Sequence, residues 1–347
     1  MLSRDNIAKR LEKLDPNKTT GVDDVHPLIL RNCSSAFSHP LELIFKRSFS
    51  ESKVPDAWRE ANVTPIFKKG SKLDPANYRP VSLTSIVCKV LESVFRDEIM
   101  NHLILNELIA KQQHGFVRNK ACTTNLLETL DLMTRALASG ESVDAIYLDF
   151  AKAFDTVPHK RLMEKLKAYG LGERICCWIK AFLSNRRQRV VLGECISDWS
   201  EVTSGVPQGS VLGPFLFVIY INDLPEKLTN DCMLYADDSK LISKIQNATS
   251  VENLQKDINT INEWCETWLM KLNVSKCKVM HMGKNNPMAT YSMLGTDLET
   301  STCEKDLGDF ITNDLKWTTH VQTIAVRANR ILGMLKRLII NKPPSVW

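Results

Sequence analysis

The sequence predicts an α+β fold in which strands gather around one acidic hairpin and long amphipathic helices fill the intervals. Three observations predict it. Two apolar runs flank the adjacent aspartates Asp237 and Asp238 in Asp231-Cys-Met-Leu-Tyr235-Ala236-Asp237-Asp238-Ser-Lys-Leu-Ile242, and they read as hairpin arms. A further run, Ala145-Ile-Tyr-Leu148, leads into Asp149-Phe150 and reads as another strand. Helical apolar spacing recurs over long stretches, as at Val90, Leu91, Val94, Phe95, Ile99 and Leu103.

At 347 residues the chain can bury a large core and divide into two or three lobes. Apolar content of 44% and charged content of 24% are those of an ordinary globular protein. The net charge of +5 permits nucleic-acid binding without arguing for it. Ten cysteines show no Cys-x-x-Cys, which argues against zinc and for reduced, mostly buried thiols in an intracellular protein. The N-terminus lacks the apolar stretch of a signal peptide. The longest apolar run, Phe215 to Ile221, is too short to span a bilayer, so no membrane attachment is expected.

The hairpin carries the chemistry. Asp tolerates the unusual backbone angles of a tight turn, so the two acids are placed at the turn itself. Carboxylates at a rigid tip suit a hard divalent cation, although an acidic turn by itself is commonly just solvated. The Asp149 strand changes that balance. If the runs are neighbours, Asp149 meets Asp237 at one end of the sheet, and three carboxylates there repel unless cations sit between them. Two metal ions about 4 Å apart are the arrangement that clamps attacking and leaving oxygens in phosphoryl transfer.

Tyr235-Ala236-Asp237-Asp238 occurs with Asp149-Phe-Ala-Lys-Ala-Phe154-Asp155 and with Ser204-Gly205-Val-Pro207-Gln208-Gly209-Ser210. Together these motifs resemble the reverse transcriptases of non-LTR (LINE-type, jockey-like) retrotransposons, from about Lys18 to the end of the chain. The resemblance implies a right-hand polymerase fold. Residues 1–140 would form an N-terminal extension and fingers, 141–310 a palm, and 311–347 the start of a thumb. The palm would be a small antiparallel sheet with helices on one face. The implied activity is RNA-directed DNA polymerisation, with an RNA template, a DNA primer and deoxynucleoside triphosphates as partners. Two Mg2+ ions, or Mn2+ in their place, would be held by Asp149, Asp237 and the Phe150 carbonyl, with Asp238 completing the acidic cluster. The resemblance also implies nuclear residence and leaves the oligomeric state open. A competing expectation is a catalytically inactive nucleic-acid-binding remnant of a mobile element. It arises because the chain stops at Trp347, before a full thumb, and because no endonuclease or RNase H segment can be placed in it. A third is an RNA-synthesising polymerase on the same palm.

The elements follow in order. Asn6 to Leu14 reads as a short helix broken by Asp15-Pro-Asn, and Pro40 to Phe49 as another. Val63-Thr-Pro65-Ile-Phe67-Lys68-Lys69-Gly70 reads as an edge strand entering a basic turn, followed by Asn77-Tyr78-Arg79-Pro80. Taken alone this is an exposed basic loop. The resemblance makes it the fingers, with Arg79 and either Lys68 or Lys69, Lys68 preferred, on the incoming triphosphate. Ile86 to Leu105 is a long helix. Gln112-Gln-His114-Gly115-Phe116 resembles a family segment near the template. There Phe116 could stack on a base and His114 is structural or solvated. Thr124 to Ala138 is a helix with Leu126, Leu127, Leu130 and Leu137 inward, ended by Gly140.

Past Asp149, Phe154 stands where the resemblance places an aromatic gate that excludes a 2′-hydroxyl; its plain reading is core. Asp155 is expected to bond locally, as at a helix start. Helices follow from Pro158 to Tyr169 and from Cys176 to Leu183. Arg186-Arg187-Gln188-Arg189 is a basic cluster, either solvated or set against a phosphate backbone. Gln208 and Gly209 line the nucleotide pocket by resemblance, before an all-apolar helix from Pro214 to Asn222. Val251 to Leu269 packs one stripe under the sheet. Lys276, in Leu272-Asn-Val-Ser-Lys276, resembles a lysine near the triphosphate; by default it is a surface lysine. Asp306-Leu-Gly308-Asp309 resembles a turn that grips the primer end, with Asp309 where an aliphatic residue is usual. Val321 to Ile340 reads as a helix with Ile324, Ala328, Ile331 and Leu335 inward.

Overall fold

Two separate sheets, each with five strands, carry the fold of residues 1–338, which are the residues described by the computed structural model. The architecture is mixed α/β. The helices α1 (Arg4–Glu12), α2 (Pro27–Asn32) and α3 (Ser34–Glu51) pack through Ile7, Leu11, Leu30, Leu41 and Phe45. A short α4 (Asp56–Arg59) leads into β1 (Glu60–Phe67), which turns back into β2 (Tyr78–Leu83). The long α5 (Ile86–Leu105) and α6 (Cys122–Ala138) precede β3 (Ser142–Leu148). Three helices follow: α7 (Ala153–Thr156), α8 (His159–Ala168) and α9 (Glu173–Leu183). The chain then returns to the first sheet with β4 (Arg186–Leu192), β5 (Cys195–Ile196) and β6 (Ser200–Val202).

In that first sheet β1 pairs antiparallel with β2 and parallel with β4. The expected edge strand is therefore flanked on both sides at Asn62 and Val63 and has a single partner, β2, beyond, where Pro65 falls. Proline has no N–H to give a second ladder, which is why the pairing with β4 stops there. Arg186 is not part of a solvated cluster. It is buried and donates to the Trp58 and Phe182 carbonyls, while Arg187 and Arg189 lie against Trp199.

The second sheet is built from β3 with β7 (Asp231–Tyr235), β8 (Asp238–Ile245), β9 (Lys278–Met282) and β12 (Glu299–Thr300), in the order β12-β9-β3-β8-β7. Its pairs are antiparallel except β12 with β9. Between these strands come α10 (Leu212–Ile221), α11 (Ala248–Trp268) and the small pair β10 (Ser292–Met293) and β11 (Thr296–Asp297). A separate hairpin follows, β13 (Cys303–Asp306) with β14 (Asp309–Thr312), and then α12 (Thr318–Leu338).

Helices cover both faces of this sheet, not one as expected. Ile146, Leu148, Leu234 and Leu241 point into the large core with α10 and α11. Val143, Ala145, Met233 and Ile242 point the other way, against Met133 and Ala136 of α6. The central strand β3 is apolar on both sides, and such a strand must be covered twice. On α6 the inward face runs through Asn125, Leu126, Thr129, Met133 and Ala136, so Leu127 is exposed, contrary to expectation. Asn125 rotates the face inward because its amide donates to the Leu234 carbonyl of β7.

All ten cysteines carry free thiols, but only Cys88, Cys176, Cys232, Cys265 and Cys277 are buried, so burial of most of them is not observed. Among the described residues no helix is long and apolar enough to cross a membrane. The C-terminal helix departs furthest from expectation. Ile324, Ile331 and Leu335 are exposed, because α12 meets the hairpin only near its start, where Phe310 N–H donates to His320 Nδ1. The last two residues of the expected helix lie outside the described residues.

Candidate active site

The β7–β8 register pairs Tyr235 with Asp238, so the two-residue turn is Ala236-Asp237 and Asp238 already belongs to β8. The positive φ of the turn, +56°, sits on Ala236 and not on an aspartate. An alanine is held there by a partner far away in sequence. The fully buried Gln113 accepts at Oε1 from the Ala236 N–H at 3.2 Å and from the Gly115 N–H at 2.7 Å. The Gln112-Gln113-His114 segment lies along β7 as an added strand, with backbone bonds in both directions to Leu234. Gly115 is required by the contact, since a Cβ there would stand 2.4 Å from the Ala236 nitrogen. His114 is structural, buried between Thr124 and Glu128. Phe116 is half exposed.

Register also places Asp149. Leu148 faces Ser239, so the next residue, Asp149, falls beside Asp238 at the same end of the sheet. The strand end is anchored. The Asp149 carbonyl accepts from Asn273 N–H at 2.7 Å, and its own N–H donates to the Cys277 sulfur at 3.4 Å. Phe150 is buried edge-on to Trp264. Its neighbours Asp149 and Ala151 make the backbone bonds to the Lys271–Asn273 segment. Lys276 lies 3.6 Å from the Asp149 carboxylate.

Burial pushes the Asp237 carboxyl above the usual carboxylate range, and the Asp149 charge adds to this; Arg79 and Lys68 pull the other way. Crowding by protein atoms raises Asp238 to about 6, reinforced by Asp237, Asp306 and Asp149, although the residue keeps contact with solvent. The acids thus share one repulsive field. Among the described residues no three His, Cys, Asp or Glu side chains close into a finished metal cage. The donor set still fits a hard cation: carboxylate oxygens whose ionised state is held back by burial and by one another.

The cations come from the β1–β2 hairpin. Ile66 faces Arg79, and Lys68 N–H donates to the Asn77 carbonyl, so Lys68 and Arg79 stand at the same exposed end. Lys69 is exposed in the turn beyond. The Gln208-Gly209 loop docks on β2: Ser82 N–H donates to the Gln208 carbonyl at 2.7 Å. Gly209, at φ +118°, leaves no room for a Cβ, which would stand 2.2 Å from the Ser82 oxygen. Phe154 packs on Phe217 of α10, and its carbonyl accepts from Val206 N–H.

Four contributors were missed in the sequence. Gln113 had its signal in the Gln-His-Gly-Phe segment, read as template contact. Asp155 does not bond locally at its side chain but accepts from Gln208 Nε2 at 2.8 Å, orienting that amide. Glu92, fully buried in α5, accepts from Val211 and Leu212 N–H at 2.8 and 2.9 Å and so fixes the start of α10 just past the loop. Cys277 supports the Asp149 backbone. Nothing in a single sequence marks Glu92 or Cys277.

Residues 66–321 match the family described as reverse transcriptase (RNA-dependent DNA polymerase). The chain is 26% identical over 331 residues to the RNA-directed DNA polymerase from mobile element jockey of Drosophila melanogaster, across 92% of this chain and 36% of that protein. The Drosophila funebris counterpart is 28% identical over 363 residues, 99% of this chain and 39% of the relative. The probable RNA-directed DNA polymerase from transposon BS of Drosophila melanogaster is 25% identical over 357 residues, 97% and 39% respectively. The chain therefore spans well under half the length of these curated relatives.

Proposed function

The chain belongs to the reverse transcriptase (RNA-dependent DNA polymerase) family, and from that premise we propose that it is the polymerase segment of a non-LTR retrotransposon protein. It would extend a DNA primer on an RNA template with deoxynucleoside triphosphates, in the nucleus. The observation that carries this reading is the juxtaposition at one sheet end. Asp149 follows directly on the Leu148–Ser239 pair, at the end of the sheet where Asp238 starts β8; Asp237 lies in the turn, and Lys68 and Arg79 from the other sheet pull its carboxyl down.

In the right-hand description the β1–β2 hairpin is the fingers and the sheet around β3 and β8 the palm. The palm lies within 141–310, the fingers within 1–140 and the start of the thumb within 311–347. Asp149 and Asp237, with the Phe150 carbonyl, would hold two Mg2+ ions, or Mn2+; bound there, these would activate the primer 3′-hydroxyl and neutralise the departing pyrophosphate. Arg79 grips triphosphate oxygens in a planar fork, and Lys68 adds a point charge. Lys276 balances the Asp149 charge and stands ready for the pyrophosphate. Gln208 and Gly209, held by Asp155 and Ser82, present a rigid wall to the incoming nucleotide. The Phe154 ring, braced by Phe217, would exclude a 2′-hydroxyl. The alternative is a nucleic-acid-binding remnant without catalysis.

The test is primer extension on an RNA template with Mg2+ and deoxynucleotides, beside Asp237→Ala/Asp238→Ala. We expect extension by the wild type and none by the variant. Salt-dependent RNA binding with no incorporation by the wild type would select the remnant. Equal use of ribonucleotides would remove the gate from Phe154 and favour an RNA-synthesising polymerase.

A further inference from the structure

We propose that Lys165 is a positioning residue: its buried ammonium locks the ends of α10 and α11 together and so holds the Asp149–Phe150 strand end in place for the acidic site. The proposal deepens the polymerase reading above and rests on it. Lys165 lies in α8, and its side chain is 4% exposed. Nζ donates to the Tyr220 carbonyl, in the last turn of α10, where a cation suits the unpaired carbonyls of a helix end. It also donates to Asp223 Oδ1, and the same oxygen accepts from Trp264 Nε1 at 3.1 Å. The ammonium lies 3.8 Å from the centre of the Trp268 ring, 4.8 Å from Trp264 and 4.9 Å from Tyr220. The Tyr220 hydroxyl donates in turn to the Trp268 carbonyl at the end of α11.

From this cage the connection to the strand end is short. The Trp264 ring stands edge-on to Phe150, with centres 6.4 Å apart. Past Trp268 the chain turns at Leu269, whose φ is +54°, and Lys271–Asn273 then runs beside Asp149–Ala151. There Ala151 N–H donates to the Lys271 carbonyl and Asn273 N–H to the Asp149 carbonyl, both at 2.7 Å. Asp149 lies one residue past the Leu148–Ser239 pair that ends the β3–β8 ladder, so its backbone relies on the Asn273 bond and on the Cys277 sulfur. Whatever fixes the end of α11 therefore fixes Asp149.

Stability alone does not explain a charge at this position. Burial pushes the ammonium down to about 8, so folding works against the charged form. A methionine of similar length would fill an aromatic cage without that cost. What the ammonium adds is direction. Its N–H groups aim at one carbonyl and one carboxylate while the ring faces set its distance, and apolar packing supplies no such aim.

The experiment compares wild type, Lys165→Met, Tyr220→Phe and Phe45→Leu on the full chain. Lys165→Met removes the ammonium and keeps the volume, while the Asp223 side chain, 25% exposed, keeps its bond from Trp264. Tyr220→Phe breaks only the link to the Trp268 carbonyl. Phe45→Leu loosens the contact of α3 with Trp58 and controls for lost stability. Urea stability, single-turnover incorporation, both KM values and amide exchange at Ala151 and Asn273 are measured. We expect Lys165→Met to be no less stable than wild type yet to incorporate about tenfold more slowly, since a misplacement of about 1 Å costs about a hundredfold and this one is smaller. The KM values for nucleotide and primer–template stay, and exchange at Ala151 and Asn273 quickens by about tenfold. Tyr220→Phe gives a smaller change of the same kind, and it carries the test if Lys165→Met does not fold. Phe45→Leu lowers stability and leaves rate and exchange as they are. Unchanged rate and exchange in the folded variants would overturn the proposal, as would slower incorporation without faster exchange, or the same changes in Phe45→Leu. Failure of the polymerase reading shows separately, as a wild type that does not extend, and exchange then decides by itself whether the cage holds the strand end.

Discussion

The carboxylate turn and the cationic hairpin serve one site and are built in opposite ways. Ala236 is buried, its N–H is held by a fully buried glutamine, and β7 is clamped on its outer edge by the Gln112–His114 segment. Lys68 and Arg79 are exposed and are placed by the backbone ladder of β1 and β2. On the proposed function, the contrast follows from what each would hold. Oxygens that share a metal ion tolerate errors of a few tenths of an ångström. A lysine or arginine reaching for a mobile triphosphate needs range, and a guanidinium fork supplies its own geometry.

The largest effect should come from breaking the rigid side. Gln113→Met keeps the volume and removes the acceptor, leaving the Ala236 N–H buried without a partner. An unpaired buried donor costs about 1–3 kcal/mol, so single-turnover incorporation should fall by about a hundredfold at the upper end of that range. Nucleotide KM should move little. On the exposed side, Arg79→Ala should raise nucleotide KM by about tenfold through loss of charge-assisted bonds, with a smaller effect on the chemical step. Arg79→Lys should recover part of the loss. Steady-state and single-turnover kinetics of the two variants check the comparison. If both change the same parameter, rigid and reaching parts are not separate.

The same contrast decides what could be read in the sequence. The strand before Asp149 was legible from the apolar run Ala145–Leu148, and the hairpin from the apolar residues on either side of the two aspartates; once β3 and β8 pair, register sets Asp149 at the end where Asp238 begins. Ala236 was illegible. Its left-handed backbone is imposed by a residue 123 positions away, and the rule that turns prefer aspartate pointed to the wrong residue. Asp155 was misread for a similar reason, since its partner Gln208 is 53 residues on and is brought close only by the docking of the glycine loop. Leu127 was placed inward by periodicity. The true stripe is turned by Asn125, whose buried amide has its partner on β7.

A smaller effect should appear in stability against pH. The Asp238 carboxyl is raised from its ordinary 3.8 to about 6, so the folded state binds its proton more tightly than the unfolded chain. The sign follows: this contribution is full below the ordinary value and is lost as pH rises to about 6. Asp238 keeps contact with solvent, so screening reduces the loss to about 1 kcal/mol. Urea melts between pH 4 and pH 6.5 should show wild-type stability falling more steeply than that of Asp238→Asn. Mg2+ should restore stability at the upper end of the range, where the ionised carboxylate is available to it. Parallel curves for the two proteins would mean that the acid is not strained by its surroundings.

The smallest effect belongs to one of two helices of equal length. α11 and α12 each span 21 residues with an apolar stripe, yet Leu254, Ile258 and Ile261 are fully buried while Ile324, Ile331 and Leu335 are exposed. The amphipathic pattern therefore does not decide burial; the presence of something to pack against does. Ile258→Glu should place a charge in the large core and unfold the chain or nearly so. Ile331→Glu should change the urea-melt stability by less than about 0.5 kcal/mol, the range of an ordinary surface position. A cost above about 1 kcal/mol would mean that the α12 stripe is covered in solution, because a half-exposed isoleucine has little apolar contact to lose. Repeating the melt at several protein concentrations would then separate a covering copy of the chain from one supplied within it, since only the former depends on mass action.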